Sequence, residues 1–256
     1  MIAQFTKSLA AALTALLVCA SAATAFDIDA MTEDERAAFR AEIRSYLLEN
    51  PEVLVEAINA LEQRQAEQQA LAEVATIEQN ALEIFDDTWS YVGGNPEGDV
   101  TLVEFVDYRC HFCRQAHPEI SSLIENDGNI RLVVKEFPIL GEESVLASRF
   151  AVAVLQAHGH EKYKEVHDAL ITMRGNVARA SLENVARRFD LDPDPLIDAM
   201  GSDEVSEVIG RNRALAQVLA ITGTPTFVLG DQMLRGYLPQ SDMEALIAEM
   251  RANRDG

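Results

Sequence analysis

Apolar and polar positions alternate in distinct rhythms along this chain. From Thr32 to about Glu49, Phe39, Ile43, Tyr46 and Leu47 fall on one helical stripe. Thr32-Glu33-Asp34-Glu35 ahead of them is a capping-box pattern, in which the Thr32 hydroxyl and the Glu35 carboxylate each satisfy the other's backbone N–H. Asn50-Pro51 predicts a restart, with Asn50 as cap and Pro51 at the first helical position. No glycine or proline interrupts Glu52 to Phe85. There Leu54, Ile58 and Leu61 form a seam that lapses over the Gln-rich stretch Gln63 to Gln69 and resumes at Leu71, Val74, Ile77 and Leu82. One helix from Pro51 to Asp86 would span roughly 50 Å at 1.5 Å per residue, too long for one small domain. Two short amphipathic helices cannot close a core alone. Their stripes need a partner, either the rest of the chain or other copies of themselves. The Gln-rich stretch is then a helical or flexible connector.

From Trp89 the rhythm changes. Gly93-Gly94-Asn95-Pro96 and Gly98-Asp99 read as turns. Val100 to Tyr108 reads as a buried strand, and Cys110 opens a helix through about Glu125. A second strand, Ile130 to Phe137, follows Gly128-Asn129, so the two strands are expected to be parallel. Helical patterns fill Glu142 to Ala220, with Ser181 and Ser202 or Asp203 as caps. Thr226 to Leu229 and Gln232 to Arg235 read as a hairpin turning at Gly230-Asp231. Ser241-Asp242-Met243-Glu244 is a second capping-box pattern opening a terminal helix.

Composition narrows the function. Of 256 residues, 42 are acidic and 21 basic, a formal charge of −21, which argues against nucleic acid or anionic lipid as partners. Lys7, an apolar run from Leu9 to Ala20 and the small residues Ala23-Thr24-Ala25 form a secretory signal pattern, with cleavage expected before Phe26. The run is short for a membrane-spanning helix. Bulky Val18 before Cys19 argues against a lipoprotein. Of the three cysteines, the mature chain would keep only Cys110 and Cys113. A loop this small removes little unfolded-state entropy when closed, so the pair is a poor structural staple.

Its place between a strand and a helix suits redox chemistry. Unpaired N–H groups and the positive helix end stabilise a thiolate on Cys110, well below the free-thiol pKa of about 8.5. Cys113, on the same helical face but deeper, can attack a mixed disulfide held on Cys110 and release the partner. His111 either supports the thiolate or is an exposed loop histidine. Cys110, Cys113, His111 and His117 also invite a Cu(I) reading, but no second segment supplies the ligands that closed metal sites usually recruit. Export and the absence of other mature cysteines favour the redox reading.

The runs Val103-Glu104-Phe105-Val106-Asp107-Tyr108-Arg109-Cys110-His111-Phe112-Cys113-Arg114, Phe137-Pro138-Ile139-Leu140 and Thr222-Gly223-Thr224-Pro225-Thr226-Phe227 resemble the DsbA-type thiol–disulfide oxidoreductases. Ile43 to Leu54 and Leu61 to Gln65 are similar to the leader of the suppressor-of-copper-sensitivity protein C subgroup. The resemblance implies an α/β thioredoxin fold over 89–256 with a helical insertion at about 142–220. Before it would come a signal peptide (1–25), a helical oligomerisation segment (26–65) and a helical linker (66–88).

The resemblance further implies a cis proline at Pro225, with Thr224 beside the cysteines to pair with an extended substrate. The alternative for Thr224 is an ordinary turn residue. Phe112 would join the substrate surface. Glu104 falls where the thioredoxin fold keeps a buried acid and would shuttle the Cys113 proton; the alternative is a strand-edge surface acid. Pro118 reads as a structural kink. No cofactor and no resident metal are implied. The expected partners are misfolded or cysteine-containing exported proteins, a membrane thiol reductase, and further copies of the chain, with the trimer number taken from the resemblance. The activity implied is a periplasmic disulfide isomerase or reductase. The alternatives are a disulfide oxidase, a Cu(I)-binding or chaperone-like module, and a scaffold with one inert disulfide. His111-Phe112 departs from the Pro-His of the family's strongest oxidants.

Overall fold

The computed structural model describes residues 29–254. The signal pattern, Cys19 and the cleavage position lie outside the described residues. The chain divides into two compact units, Met1–Gln65 and Ala66–Gly256. In the first, helix α1 spans Glu33–Glu49 and opens on the expected capping box. Glu35 N donates to Thr32 Oγ1 at 3.3 Å, and Thr32 N donates to Glu35 Oε2 at 2.9 Å. Asn50 departs from expectation. Its side-chain amide donates back to Tyr46 O at 2.9 Å, so it closes α1 rather than capping the next helix. Helix α2 spans Glu52–Gln79 without a break, so the Gln-rich stretch is helical. No residue of α1 is buried, and Phe39, Ile43, Tyr46, Leu54, Ile58 and Leu61 are all exposed.

The second unit is built on a five-stranded sheet of order β1-β3-β2-β4-β5. Its strands are β1 (Tyr91–Gly94), β2 (Val100–Val106), β3 (Ile130–Glu136), β4 (Thr226–Leu229) and β5 (Gln232–Arg235). β2 and β3 are parallel, and the other pairs are antiparallel. Helix α4 (His111–Asp127) joins β2 to β3 and ends on left-handed Gly128. Four helices separate β3 from β4: α5 (Glu142–Thr172, bent at Gly159), α6 (Arg179–Arg188), α7 (Pro193–Ala199) and α8 (Asp203–Val218). Helix α9 (Gln240–Arg254) closes the chain.

Alternation along β2 separates the two faces of the sheet. Val100 and Leu102 pack with α4 and α9, against Ala116, Ile120 and Met243. Val103 and Phe105 pack on the opposite face with Leu215 of α8 and Leu219 just past its end, with Ile77 of α2, and with Ile84 of the short helix α3 (Ala81–Phe85). Ile77 and Ile84 fall within the stretch 66–88 expected as linker, yet both are fully buried in this core. Of the resumed seam, Ile77 covers the sheet and Val74 is half-buried, whereas Leu71 and Leu82 are exposed.

Three local expectations are corrected. Tyr91–Gly94 is an edge strand, not a turn: Tyr91 stacks on Tyr163 at 4.6 Å, and the strand pairs with β3. The expected turn follows the strand, over residues 95–98, where Gly98 N donates to Asn95 O at 2.9 Å; Gly94 begins it. Its φ is +64°, and a Cβ there would collide with the Ile130 carbonyl oxygen. Ser181 lies inside the first turn of α6, where its hydroxyl accepts from Ala178 N at 2.9 Å. Ser241 does not open a capping box; α9 begins one residue earlier, and Gln240 N donates to Glu119 Oε2 at 2.7 Å.

A buried ion pair fastens α3 and the following turn to the sheet. Lys135 on β3 is fully buried, donates to Glu83 O at 2.6 Å and pairs with the Asp87 carboxylate. Asp87 also accepts from Trp89 N and Ser90 N. Asp87→Asn leaves the Lys135 ammonium buried without a counter-charge, and is expected to cost about 3–5 kcal/mol in urea unfolding. Adding Lys135→Met to that variant is expected to restore most of the loss, because the uncompensated charge is then gone.

Candidate active site

β2 ends at Val106, and Asp107-Tyr108-Arg109 turns the chain into α4. Asp107 is fully buried. One carboxylate oxygen accepts from Arg109 N at 2.8 Å; the other accepts from Ile139 N at 2.8 Å and Leu140 N at 3.0 Å. The loop carrying Cys110 and the loop leaving β3 are thereby tied to one side chain. Arg114 adds two bonds from its guanidinium to Tyr108 O, at 3.1 and 2.9 Å. Cys110 is the N-cap of α4 with extended backbone, which points its sulfur at the open N–H groups of the first turn.

The Thr224–Pro225 peptide is cis and faces this end of the helix. Cys110 Sγ lies 3.0 Å from Thr224 O. A carbonyl can only accept, so this bond belongs to the protonated thiol. The Thr224 hydroxyl is buried with no other partner, and is the donor available to a thiolate. Thr224 stands beside Cys110 as the resemblance implies; nothing in the sequence pattern marks this hydroxyl.

The two thiols are free and electrically unequal. Cys110 is brought down to about 5 by hydrogen bonds from the Cys113 side chain, from Thr224, and from the N–H groups of Cys113 and Phe112, with burial opposing. Cys113 is pushed far above its ordinary value by its bond to Cys110, by burial and by the Glu104 charge. Cys113 is wholly buried, and Cys110 retains 6% exposure. Cys110 is therefore the accessible thiol of the two, although less open than a surface residue.

Glu104 is buried, not a surface acid of a strand edge. It points to the α4 side of β2, by alternation with Leu102. Burial raises its carboxyl to about 7; the nearby His117 charge pulls it down, and Glu136 and Cys110 push it up. His111 is exposed, contacts the Phe112 ring edge-on at 5.6 Å, and is not among the groups that lower Cys110. Phe112 is 54% exposed, and Ile139 and Leu140 on the neighbouring loop are also exposed. Apolar side chains thus rise from the first turn of α4 and from the loop leaving β3, both positioned by Asp107.

The structure adds a buried polar cluster behind the cysteines. Tyr108 and Tyr163 each donate to Glu136 Oε1 at 2.6 Å, and His167 Nδ1 lies 2.9 Å from Tyr108 O. Because the Tyr108 proton goes to Glu136, His167 Nδ1 must carry the hydrogen of the second bond. Its one signal in the sequence is Lys135-Glu136, two charges closing an apolar strand. Among the described residues no group of three or more His, Cys, Asp or Glu side chains is arranged to hold a metal ion.

The inequality of the thiols has a direct readout. Thiolate, and hence reactivity, is present above the folded pKa and lost as pH falls through it. Alkylation of the reduced chain with iodoacetamide is expected to modify Cys110 alone at neutral pH, with a midpoint near pH 5. Thr224→Val, which removes the donor hydroxyl, is expected to move that midpoint upward.

Comparison with known proteins agrees with this geometry. The profile of the DSBA-like thioredoxin domain matches residues 101–248, and that of the copper resistance protein ScsC N-terminal domain matches residues 35–68. A thioredoxin-like oxidoreductase from Silicibacter pomeroyi DSS-3 is 41% identical, with a TM-score of 0.63 over 67% of this chain and 97% of that one. Proteus mirabilis ScsC in a compact conformation is 28% identical, with a TM-score of 0.62 over 85% of this chain and 98% of that one. The Na(+)/H(+) antiporter NhaA 1 of Salinispora arenicola (strain CNS-205) is 32% identical over 162 residues, which are 62% of this chain and 24% of that protein. The chain thus spans about a quarter of the length of the curated relatives it matches. Among the described residues no helix is long and apolar enough to cross a membrane. With a low-pKa cysteine capping a helix, its buried partner within reach and a cis-proline loop against the first, the chain belongs to the DsbA-like thioredoxin-fold family of thiol–disulfide oxidoreductases, with a ScsC-type N-terminal segment.

Proposed function

We propose that the protein is a periplasmic thiol–disulfide oxidoreductase that works as a disulfide isomerase or reductase on exported proteins. The observation that carries this reading is the split between the thiols: Cys110 lowered to about 5 and Cys113 held protonated beside it. The Cys110 thiolate attacks a client disulfide. A Cys110–client bond forms, and the other client sulfur leaves as a thiolate. Either a client thiol then attacks the mixed disulfide and returns Cys110 to its thiolate, or Cys113 does so. In the second case Cys113 gives its proton to Glu104, the client leaves reduced, and Cys110–Cys113 becomes the disulfide. Hydrogen bonds that stabilise the thiolate favour the reduced dithiol, the form an isomerase needs. A membrane thiol reductase would regenerate it. Phe112, Ile139 and Leu140 offer an apolar rim to an unfolded client, and Thr224 offers backbone to pair with it.

The location rests on the signal pattern of residues 1–25. The isomerase preference rests on self-association through residues 26–65, probed most simply by the exposed stripes of α1 and α2. A trimer would hold several dithiols near one client, so that wrong disulfides are attacked, released and attacked again. The description of the ScsC-type N-terminal domain as a copper resistance protein supports a second reading, in which the dithiol holds Cu(I).

Light scattering on the mature chain is expected to give a mass about three times that of one chain at micromolar concentration. Deleting residues 26–65 is expected to leave a monomer that reduces small disulfides at the full rate but refolds scrambled ribonuclease poorly. Cys113→Ser is expected to accumulate mixed disulfides with clients. A monomeric full chain, or a Cys113→Ser variant that traps none while still binding Cu(I), would overturn the isomerase reading.

A further inference from the structure

The Cys113 proton needs a way out of the molecule. Glu104 can take it, but Glu104 is itself buried and must be emptied before the next cycle. One cleft of about 580 Å³ connects the acid to the surface. Glu104 and His117 both line it, together with His167 and Asp168. His117 sits on α4 one helical turn beyond Cys113, so it faces the same side of the helix. Its Nε2 lies 3.3 Å from Asp168 Oδ1, and the other Asp168 oxygen is held by Lys164 Nζ at 2.7 Å.

We propose, resting on the oxidoreductase reading, that His117 is the second station of the proton path from Cys113, taking the Glu104 proton within the cleft and passing it to solvent. The hydrogen-bond pattern assigns its ring. Asp168 accepts from Nε2–H, which leaves Nδ1 with a free lone pair to receive a proton. The steps balance. Cys113 S–H gives its proton to the Glu104 carboxylate, and the Cys113 thiolate displaces the client from Cys110. The Glu104 carboxylic acid gives the proton to His117 Nδ1, and the imidazolium, beside the Asp168 carboxylate, loses it to water.

The groups around His117 fit this role. On α5, His167 is held neutral by burial, at about 3, and its Nδ1–H is committed to Tyr108, so it does not compete for the proton. Its ring lies 5.3 Å from that of His117 and fills the wall behind it. Lys164 faces Asp168 from the outer side. On β3, Glu136 stands behind the two tyrosines, where its charge acts on Glu104. On β1, the Tyr91 phenol lines the cleft; on α4, Glu125 does so as well. His117 therefore acts through Glu104 as a positioning residue, not on the sulfur.

Stopped-flow reaction of the reduced full-length chain with an aromatic disulfide separates the two steps. The first thiol released reports attack by Cys110, and the second reports resolution by Cys113. His117→Ala is expected to slow the second phase about tenfold relative to the first at neutral pH. Added imidazole, which the cleft has room to admit, is expected to restore the second phase in His117→Ala and not in Glu104→Gln. His117→Gln keeps a donor to Asp168 but carries no proton, and is expected to behave like His117→Ala; it decides the matter if the alanine variant does not fold. A second phase that keeps the wild-type rate in His117→Ala, or one that is slowed but deaf to imidazole, would overturn the relay. If the wild-type chain releases no thiol at all, the oxidoreductase reading itself fails.

Discussion

One carboxylate holds the reactive end of this molecule together. Asp107 is fully buried and accepts three backbone N–H groups from two loops that are far apart in sequence. Each forms a hydrogen bond to a charged acceptor, worth about 1.5–3 kcal/mol. The clasp sets where Cys110 leaves β2 and where Ile139 and Leu140 stand beside it. The helix N-terminus, the cis-proline loop and the apolar rim can then converge on one sulfur. Arg114 reinforces the same turn from the far side through Tyr108 O.

The chemistry comes from unequal solvation of neighbouring groups. Cys110 and Cys113 are alike as residues, yet one meets N–H and O–H donors and the other meets apolar side chains and an acid. The acid carries a stability cost. Glu104 and Glu136 both sit at about 7 in the fold, against 4.5 for an ordinary glutamate. Between those values the folded chain holds more protons than the unfolded one, so stability falls as pH rises through that window. The hydroxyls of Ser148, Tyr108 and Tyr163 reduce the cost at Glu136, and a charge on His117 reduces it at Glu104. Acids that would be expelled from an ordinary core are retained here beside the only described thiols.

The two units use apolar surface in opposite ways. In the second, the sheet is covered on both faces, and even the last turns of α2 and the short α3 are drawn into its core. In the first, α1 and the start of α2 leave their stripes bare in the single chain. Contiguous apolar surface of this kind marks an interaction face more often than a solvated one. The self-association proposed for this chain takes that exposed surface as its physical ground.

Much of the fold was readable from local pattern. The α1 capping box, the β2–α4–β3 unit, the β4–β5 hairpin and the helical insertion follow from periodicity, caps and turn residues, which act over a few neighbours. The dithiol and its helix-capping position were legible for the same reason, because strand, cysteine and helix are consecutive. Asn50, Ser181 and Ser241 show the limit: each has cap chemistry, but which helix end it serves depends on where neighbouring bonds are already made. β1 was missed because two of its four residues are glycines, and only pairing with β3 and the stack on Tyr163 make it a strand. Glu104 could be suspected as buried from resemblance alone. The Asp107 clasp, the Thr224 hydroxyl, the Glu136 cluster and the His117 cleft could not be read, because each joins residues brought together only by the closed sheet and the helices packed on it. The sequence by itself determined which residues are chemically able to exchange disulfides; tertiary structure decided their protonation, because burial and hydrogen-bond donors from distant segments set the cost of each charge.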